Sequence, residues 1–209
     1  MPSAETLALF MAAALALNLT PGPDMMYVAA RSAGDGRRAG IVAAFGIGAG
    51  TLAHIAALAL GLAALLAAVP LAYDALRIAG AVYLVVIGMH LLLRRSRPTA
   101  TTALAPSPLG VVFMQAVLTN VLNPKVALFF LAFLPQFVDP EAGPAAAQIV
   151  LLGLLFDVQG TVVNMLVAVL ASGTTRRLRA NAPAVSLLQR LTGALLVALG
   201  ARLAVAAGK

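Results

Sequence analysis

Two short stretches of this sequence hold the residue types that could do chemistry. "NLTPGPD" (residues 18–24) and "NPK" (residues 123–125) each set proline, asparagine and a charged side chain inside an otherwise apolar run. Proline has no N–H. Pro21 and Pro23 therefore leave the carbonyls of Leu17 and Leu19 without intrahelical donors, and Pro124 does the same to Asn120. A bare carbonyl in hydrocarbon is costly unless another group satisfies it, and Asn18, Thr20, Asn120 and Asn123 are at hand. Such carbonyls also accept hydrogen bonds from an ammonium group. Past the break, proline at a first-turn position starts a new helix whose leading amides attract a carboxylate. An amino-acid zwitterion needs both halves of that arrangement. The plainer alternative is that Pro21-Gly22-Pro23 is a packing kink.

Asp24 and Lys125 flank the two breaks. A charge at the bilayer centre costs at least about 2.5–3.5 kcal/mol, so each should face a cavity or a partner. They read either as an ion pair with each other, or as separate ligands. In the second reading Lys125 meets a substrate carboxylate and Asp24 a substrate amine or a coupled proton. Asp24 also lies near enough to Arg31 to be a solvated end residue. Lys125 sits too deep in its span to snorkel comfortably. Asp157, in "LLFDVQGTVVNML" with Gln159, Thr161 and Asn164 close by, is either a proton carrier or a structural acid. His54 is a packing histidine or a proton relay; His90, beside Arg94, is interfacial.

The elements that must position these residues follow from composition. The chain has 209 residues, of which 62% are hydrophobic and only 10% charged, with mean hydropathy +0.99. That is too little charge to cover a soluble domain, and long apolar stretches recur throughout. The fold class is all-α and membrane-integral. Six spans are expected at 5–30, 39–68, 71–93, 109–137, 145–171 and 185–206. They form one transmembrane domain over 1–209, divided by a Pro/Ala/Thr-rich linker at 94–108. The N-terminus carries Glu5 and no basic residue before its apolar stretch, which reads as a retained span and not a cleaved signal.

Arginines fix the orientation. The first, third and fifth connections hold Arg31, Arg37 and Arg38; Arg94, Arg95 and Arg97; and Arg176, Arg177 and Arg179, while Arg77 stands alone on the other side. Nine against one places those connections in the cytoplasm of a bacterial inner membrane, with both termini periplasmic. The net charge of +7 is explained by these clusters, which have no aromatic interleaving, so nucleic acid is not an expected partner. With no cysteine and two distant histidines there is no metal motif. Neither a nucleophile–base set nor a phosphate loop is present; no enzyme activity and no cofactor are expected.

The two halves resemble each other. Phe10-Met11 aligns with Phe113-Met114, Thr20-Pro21 with Asn123-Pro124, Gly50-Thr51 with Gly160-Thr161, and "RIAGAVYL" (77–84) with "RLTGALLV" (190–197); His54 falls opposite Asn164. Three spans per half is an odd number, so repeat one (5–93) and repeat two (109–206) must be inverted. Inverted repeats are an architecture of secondary transporters, whose sites form where broken helices meet. Glycines at 46, 48, 50, 80, 88, 193 and 200 give close helix packing, either internal or across a homodimer.

"NLTPGPDMMYVAARSAGDGRRAGIVAAFGIGAG", "GAVYLVVIGMHLL" and "NVLNPKVALFFLAFLPQFV" together resemble the LysE/RhtB family of bacterial amino-acid exporters over nearly the whole chain. The resemblance implies six helices and proton-driven efflux of amino acids, nearest to the threonine/homoserine branch. The family's N-x-x-P-G-P element falls on Asn18, Pro21, Gly22 and Pro23, and its N-P-K element on Asn123, Pro124 and Lys125. Asp157 is not part of that pattern. Two acids in the spans suit a neutral substrate better than a dicationic one, and the ligands suit cadmium poorly. Export of basic amino acids or cations, and a membrane scaffold without flux, are the alternatives.

Overall fold

The computed structural model describes residues 2–68 and 106–173, with isolated helical positions from 78 to 93 and from 187 to 201. Among the described residues every regular element is a helix. The first predicted span is a pair, α1 (Ala4–Leu19) and α2 (Pro23–Asp35), bent by 51°. α3 (Arg37–Ala68) follows as one long rod. The fourth predicted span is again a pair, α4 (Leu109–Val121) and α5 (Pro124–Phe137), bent by 45°. α6 (Ala145–Gly173) is the fifth. α3 and α6 are long and apolar enough to cross a membrane alone, and each bent pair is so when taken together. The architecture is that of a multi-pass membrane protein. The spans expected at 71–93 and 185–206 and the linker 94–105 lie largely outside the described residues, as does His90.

Each bend has its cause in the sequence. Ser3 caps the start of α1 by accepting from Thr6 N, and α1 ends where Pro21 cannot donate. Pro23 is then the first residue of α2 and Pro124 the first of α5. The two helices thus start alike, each with proline first and a charged residue, Asp24 or Lys125, second.

The first connection also differs from expectation. "RSAGDGRR" reads as a loop, yet α2 runs on to Asp35 and only Gly36, at φ +87°, separates it from α3. Arg31 is thus a helical residue, 3% exposed. Burial is tolerated because its guanidinium donates to Asp35 Oδ2 at 2.8 Å, to Gln115 Oε1 at 2.7 Å and to the Tyr27 hydroxyl at 3.2 Å.

Two cores hold the helices. One is aromatic: Phe10, Phe129, Phe133 and Phe137 interlock with ring centroids 4.7–6.4 Å apart, and Phe156 stacks on Phe129 at 4.5 Å. The other is built of small residues, with Val28, Ala43, Ala44, Ile47, Val112, Ala116 and Ala168. Small residues let α3 press on its neighbours. A Cβ on Gly46 would fall 2.5 Å from the Phe113 carbonyl, and one on Gly88 would fall 2.6 Å from that of Gly193. These glycines therefore pack internally. Outward faces of α3 and α6 stay apolar, at Phe45, Leu52, Leu60, Val158, Val162 and Leu166, as a lipid-facing surface requires.

Candidate functional site

Between the two cores lies a cavity of about 30 Å³, room for about two waters. Its wall includes Asn18, Thr20, Gly22, Asp24, Asn120, Asn123, Lys125, Asp157 and Asn164. Nine residues singled out from sequence, scattered over 147 positions of chain, thus share one small space. Pro21, Pro23 and Pro124 shape the breaks without lining it, and His54 stands behind Asn120.

The first break is closed by a side chain from the second. Lys125 Nζ donates to the Leu17 carbonyl at 2.7 Å and to the Thr20 carbonyl at 2.8 Å. A lysine ammonium thus caps the C-terminal end of α1, where the helix dipole is negative. A Cβ on Gly22 would stand 3.4 Å from Lys125 Cδ, in ordinary contact. The Thr20 hydroxyl serves its own helix, donating to the Ala16 carbonyl at 2.8 Å. Asn18 turns away, its Nδ2 reaching the Phe156 carbonyl and Gln159 Oε1 on α6, both at 3.4 Å. So the expectation that Asn18 satisfies the freed carbonyls does not hold: the Leu17 carbonyl accepts from Lys125 Nζ and from Thr20 N.

The second break is closed mostly from within. Asn123 Oδ1 accepts from Lys125 N at 3.0 Å, capping α5. The Asn120 carbonyl, freed by Pro124, accepts from Asn123 N at 2.9 Å and faces His54 Nε2 at 3.2 Å. A carbonyl can only accept, so His54 is the donor and carries its proton on Nε2. Its ring stacks on Phe130 with centroids 5.7 Å apart. These contacts are those of a packing histidine hydrogen-bonded inside the bundle.

Asp24 and Lys125 share the cavity wall. Asp24 Oδ2 accepts from Asn120 Nδ2 at 2.9 Å, and Asp24 Oδ1 has no hydrogen-bond partner among the described residues. Asp157 lies across the cavity on α6, and Thr51 and Thr161 line the same wall. Gly48 allows this approach; a Cβ there would fall 2.8 Å from Thr161 Oγ1 and 3.2 Å from Asp157 Oδ1.

Thr51 was not singled out as a site residue, yet it is 3% exposed on the cavity wall and donates to Asn120 Oδ1 at 3.4 Å. The signal for it was present: Gly50-Thr51 recurs as Gly160-Thr161. In space the two glycines trade asparagines between the halves. Gly50 seats Asn120, whose Oδ1 would be 3.0 Å from a Cβ, and Gly160 seats Asn18 in the same way at 3.0 Å.

Comparisons with known proteins agree with this picture. The chain is 36% identical to an uncharacterized membrane protein of Pseudomonas aeruginosa over 197 residues, 90% of this chain and 89% of the relative. It is 28% identical to a leucine efflux protein of Salmonella typhimurium over 152 residues, 71% of each. An uncharacterized membrane protein of Vibrio cholerae is 32% identical over 131 residues, 63% of this chain and 64% of the relative. No solved structure matches the chain. The family model of the LysE type translocators matches residues 15–207, both breaks included, and the chain belongs to that family.

Proposed function

We infer that this protein exports neutral amino acids, of the threonine, homoserine or leucine kind, or small zwitterionic analogues, across a bacterial inner membrane by proton antiport. Family membership makes it a translocator and not an enzyme. The observation that carries the finer reading is one cavity, lined by both helix breaks, with Asp24 and Lys125 on its wall. Opposite charges on one cavity suit a zwitterion. Asp24 Oδ1 takes the substrate ammonium, and Lys125 supplies the positive charge for the carboxylate. Once those two are matched, Asp157 is the acid left over, which suits a neutral side chain and a coupled proton.

The same reading has six spans in two inverted repeats, both termini periplasmic. The two bends, the shared Pro-first helix starts and the exchange of asparagines between Gly50 and Gly160 support it. A cavity of about 30 Å³ is too small for an amino acid, so transport requires it to open alternately to the two sides. The aromatic core closes one side. The small-residue core, with the Arg31 cluster beyond it, closes the other.

Efflux from proteoliposomes preloaded with labelled L-threonine, L-homoserine or L-leucine tests this directly. The wild type should move at least one of them, and Asp24→Asn and Lys125→Met should each slow that flux at least about tenfold. A correctly inserted wild type that moves none of them returns the protein to the scaffold reading.

A further inference from the structure

We propose that Asp157 carries the coupled proton and that Thr51 and Asn120 join it to Asp24, so that proton and substrate ammonium exclude each other. This rests on the antiport reading above. Its basis is a shortage of hydrogens. The Thr51 hydroxyl has one hydrogen for two acceptors, the Ile47 carbonyl at 3.2 Å and Asn120 Oδ1 at 3.4 Å, and it shares the cavity wall with the Asp157 carboxylate. Asn120, 1% exposed, has no slack either; its Nδ2 is committed to Asp24 Oδ2 at 2.9 Å and its carbonyl to Asn123 N and His54. The direction of the Thr51 hydrogen therefore depends on whether Asp157 holds a proton.

With Asp157 protonated, its O–H donates to Thr51 Oγ1. The Thr51 hydrogen then points at Asn120 Oδ1, and Asn120 Nδ2 holds Asp24. The chain of donors runs unbroken from one acid to the other. When the proton leaves Asp157 for water, the carboxylate becomes an acceptor and claims the Thr51 hydrogen. Asn120 Oδ1 loses its donor, its amide is no longer pinned at both ends, and Asp24 is released to a substrate ammonium. One proton leaves and one cation enters, which is the stoichiometric condition for antiport. The link crosses the repeats: Asp24 and Thr51 belong to the first half, Asn120 and Asp157 to the second.

The charged surroundings of Asp157 leave it this role. Among the described residues, the ionisable groups on the cavity from packed elements are Asp24 of α2 and Lys125 of α5, and α1 contributes none. His54 of α3 faces Asn120 and donates to its carbonyl. Tyr27, Arg31 and Asp35 of α2 form their own cluster beyond the small-residue core, with Arg37 and Arg38 at the start of α3; Glu5 opens α1.

The test is the ratio of labelled L-threonine or L-leucine efflux from proteoliposomes with and without an inward proton gradient. A coupling of ordinary strength gives the wild type a ratio of about tenfold, and Thr51→Val and Asp157→Asn should bring it below about twofold. Thr51→Ser, which keeps the hydroxyl, should stay near the wild type. A wild-type ratio in Thr51→Val overturns the proposal, as does loss of the ratio in Thr51→Ser, which would assign the effect to packing of the methyl group. If the wild type moves amino acids with no gradient dependence, antiport itself fails. Should no amino acid move, the carboxylic-acid infrared band of the detergent-solubilised protein still decides. A band that titrates in the wild type, vanishes in Asp157→Asn and shifts in Thr51→Val supports the link. One that Thr51→Val leaves unmoved overturns it.

Discussion

The two helix breaks begin alike but are held by different means. At the second, the chain looks after itself: Asn123 caps α5 and its N–H meets the Asn120 carbonyl. At the first, Thr20 N meets the Leu17 carbonyl in the same way, but Gly22 has no side chain to cap α2, and the carbonyls of Leu17 and Thr20 also take an ammonium reaching over from the other half. A self-sufficient break is a fixed feature of the fold. One closed by a residue of the opposite half can open only when the halves move, and that is the break a transporter would use as its moving part.

The sharpest way to break this comparison is Lys125→Met. It removes two hydrogen bonds from a charged donor, each worth about 1.5–3 kcal/mol, and takes from the Thr20 carbonyl its ammonium donor in a low-dielectric site. Thermal unfolding in detergent should show a loss of several kcal/mol together with loss of flux. If Lys125→Met melts like the wild type, the ammonium is not what closes the first break, and the contrast between the two collapses.

Next in size come the glycines that seat the two asparagines. A Cβ at Gly50 would fall 2.8 Å from Asn120 Cβ and 2.8 Å from the Val117 carbonyl, so α4 itself must shift. At Gly160 the obstacle is the side-chain amide of Asn18, which can rotate aside. Gly50→Ala should therefore cost about 1–3 kcal/mol and Gly160→Ala distinctly less. Equal losses would mean that the first asparagine is as rigidly held as the second. Asn123→Ala follows, at about 1 kcal/mol for a lost cap, with flux falling far less than in Lys125→Met. A flux loss as deep as that of Lys125→Met would show that the second break is no more a fixed feature than the first.

How far the sequence reveals all this differs between the breaks as well. Proline positions made both visible, and four of the expected spans begin and end within a few residues of the helices observed, because hydrophobic length alone sets them. What pattern could not reveal is partnership in space. Lys125 was legible as a functional charge, but its role as the cap of α1 depends on a contact 105 residues away in sequence. Arg31 read as a loop arginine because "RSAGDGRR" has the composition of a loop. The partner that lets it be buried, Gln115, lies in the other half. Thr51 went unremarked as a site residue because a lone threonine in an alanine-rich span carries no chemical signal of its own; only its recurrence as Thr161 did.

The smallest expected change in stability bears most closely on why the first break is left uncapped. Gly22 has φ −149° and ψ −177°, extended backbone that any residue adopts, and a Cβ there would stand in ordinary contact with Lys125. Nothing in the backbone therefore requires glycine. Gly22→Ser should fit, and its hydroxyl should cap the first turn of α2 and stabilise by a few tenths of a kcal/mol at most. If the open first turn merely tolerates its lack of a cap, transport should be unchanged. If its amides receive the substrate carboxylate, a resident hydroxyl competes for them, and apparent affinity should weaken while the melting temperature holds or rises slightly. Flux measured across a range of internal L-threonine or L-leucine concentrations separates the two. A fold that gains stability and loses affinity from one added oxygen keeps its glycine for the substrate.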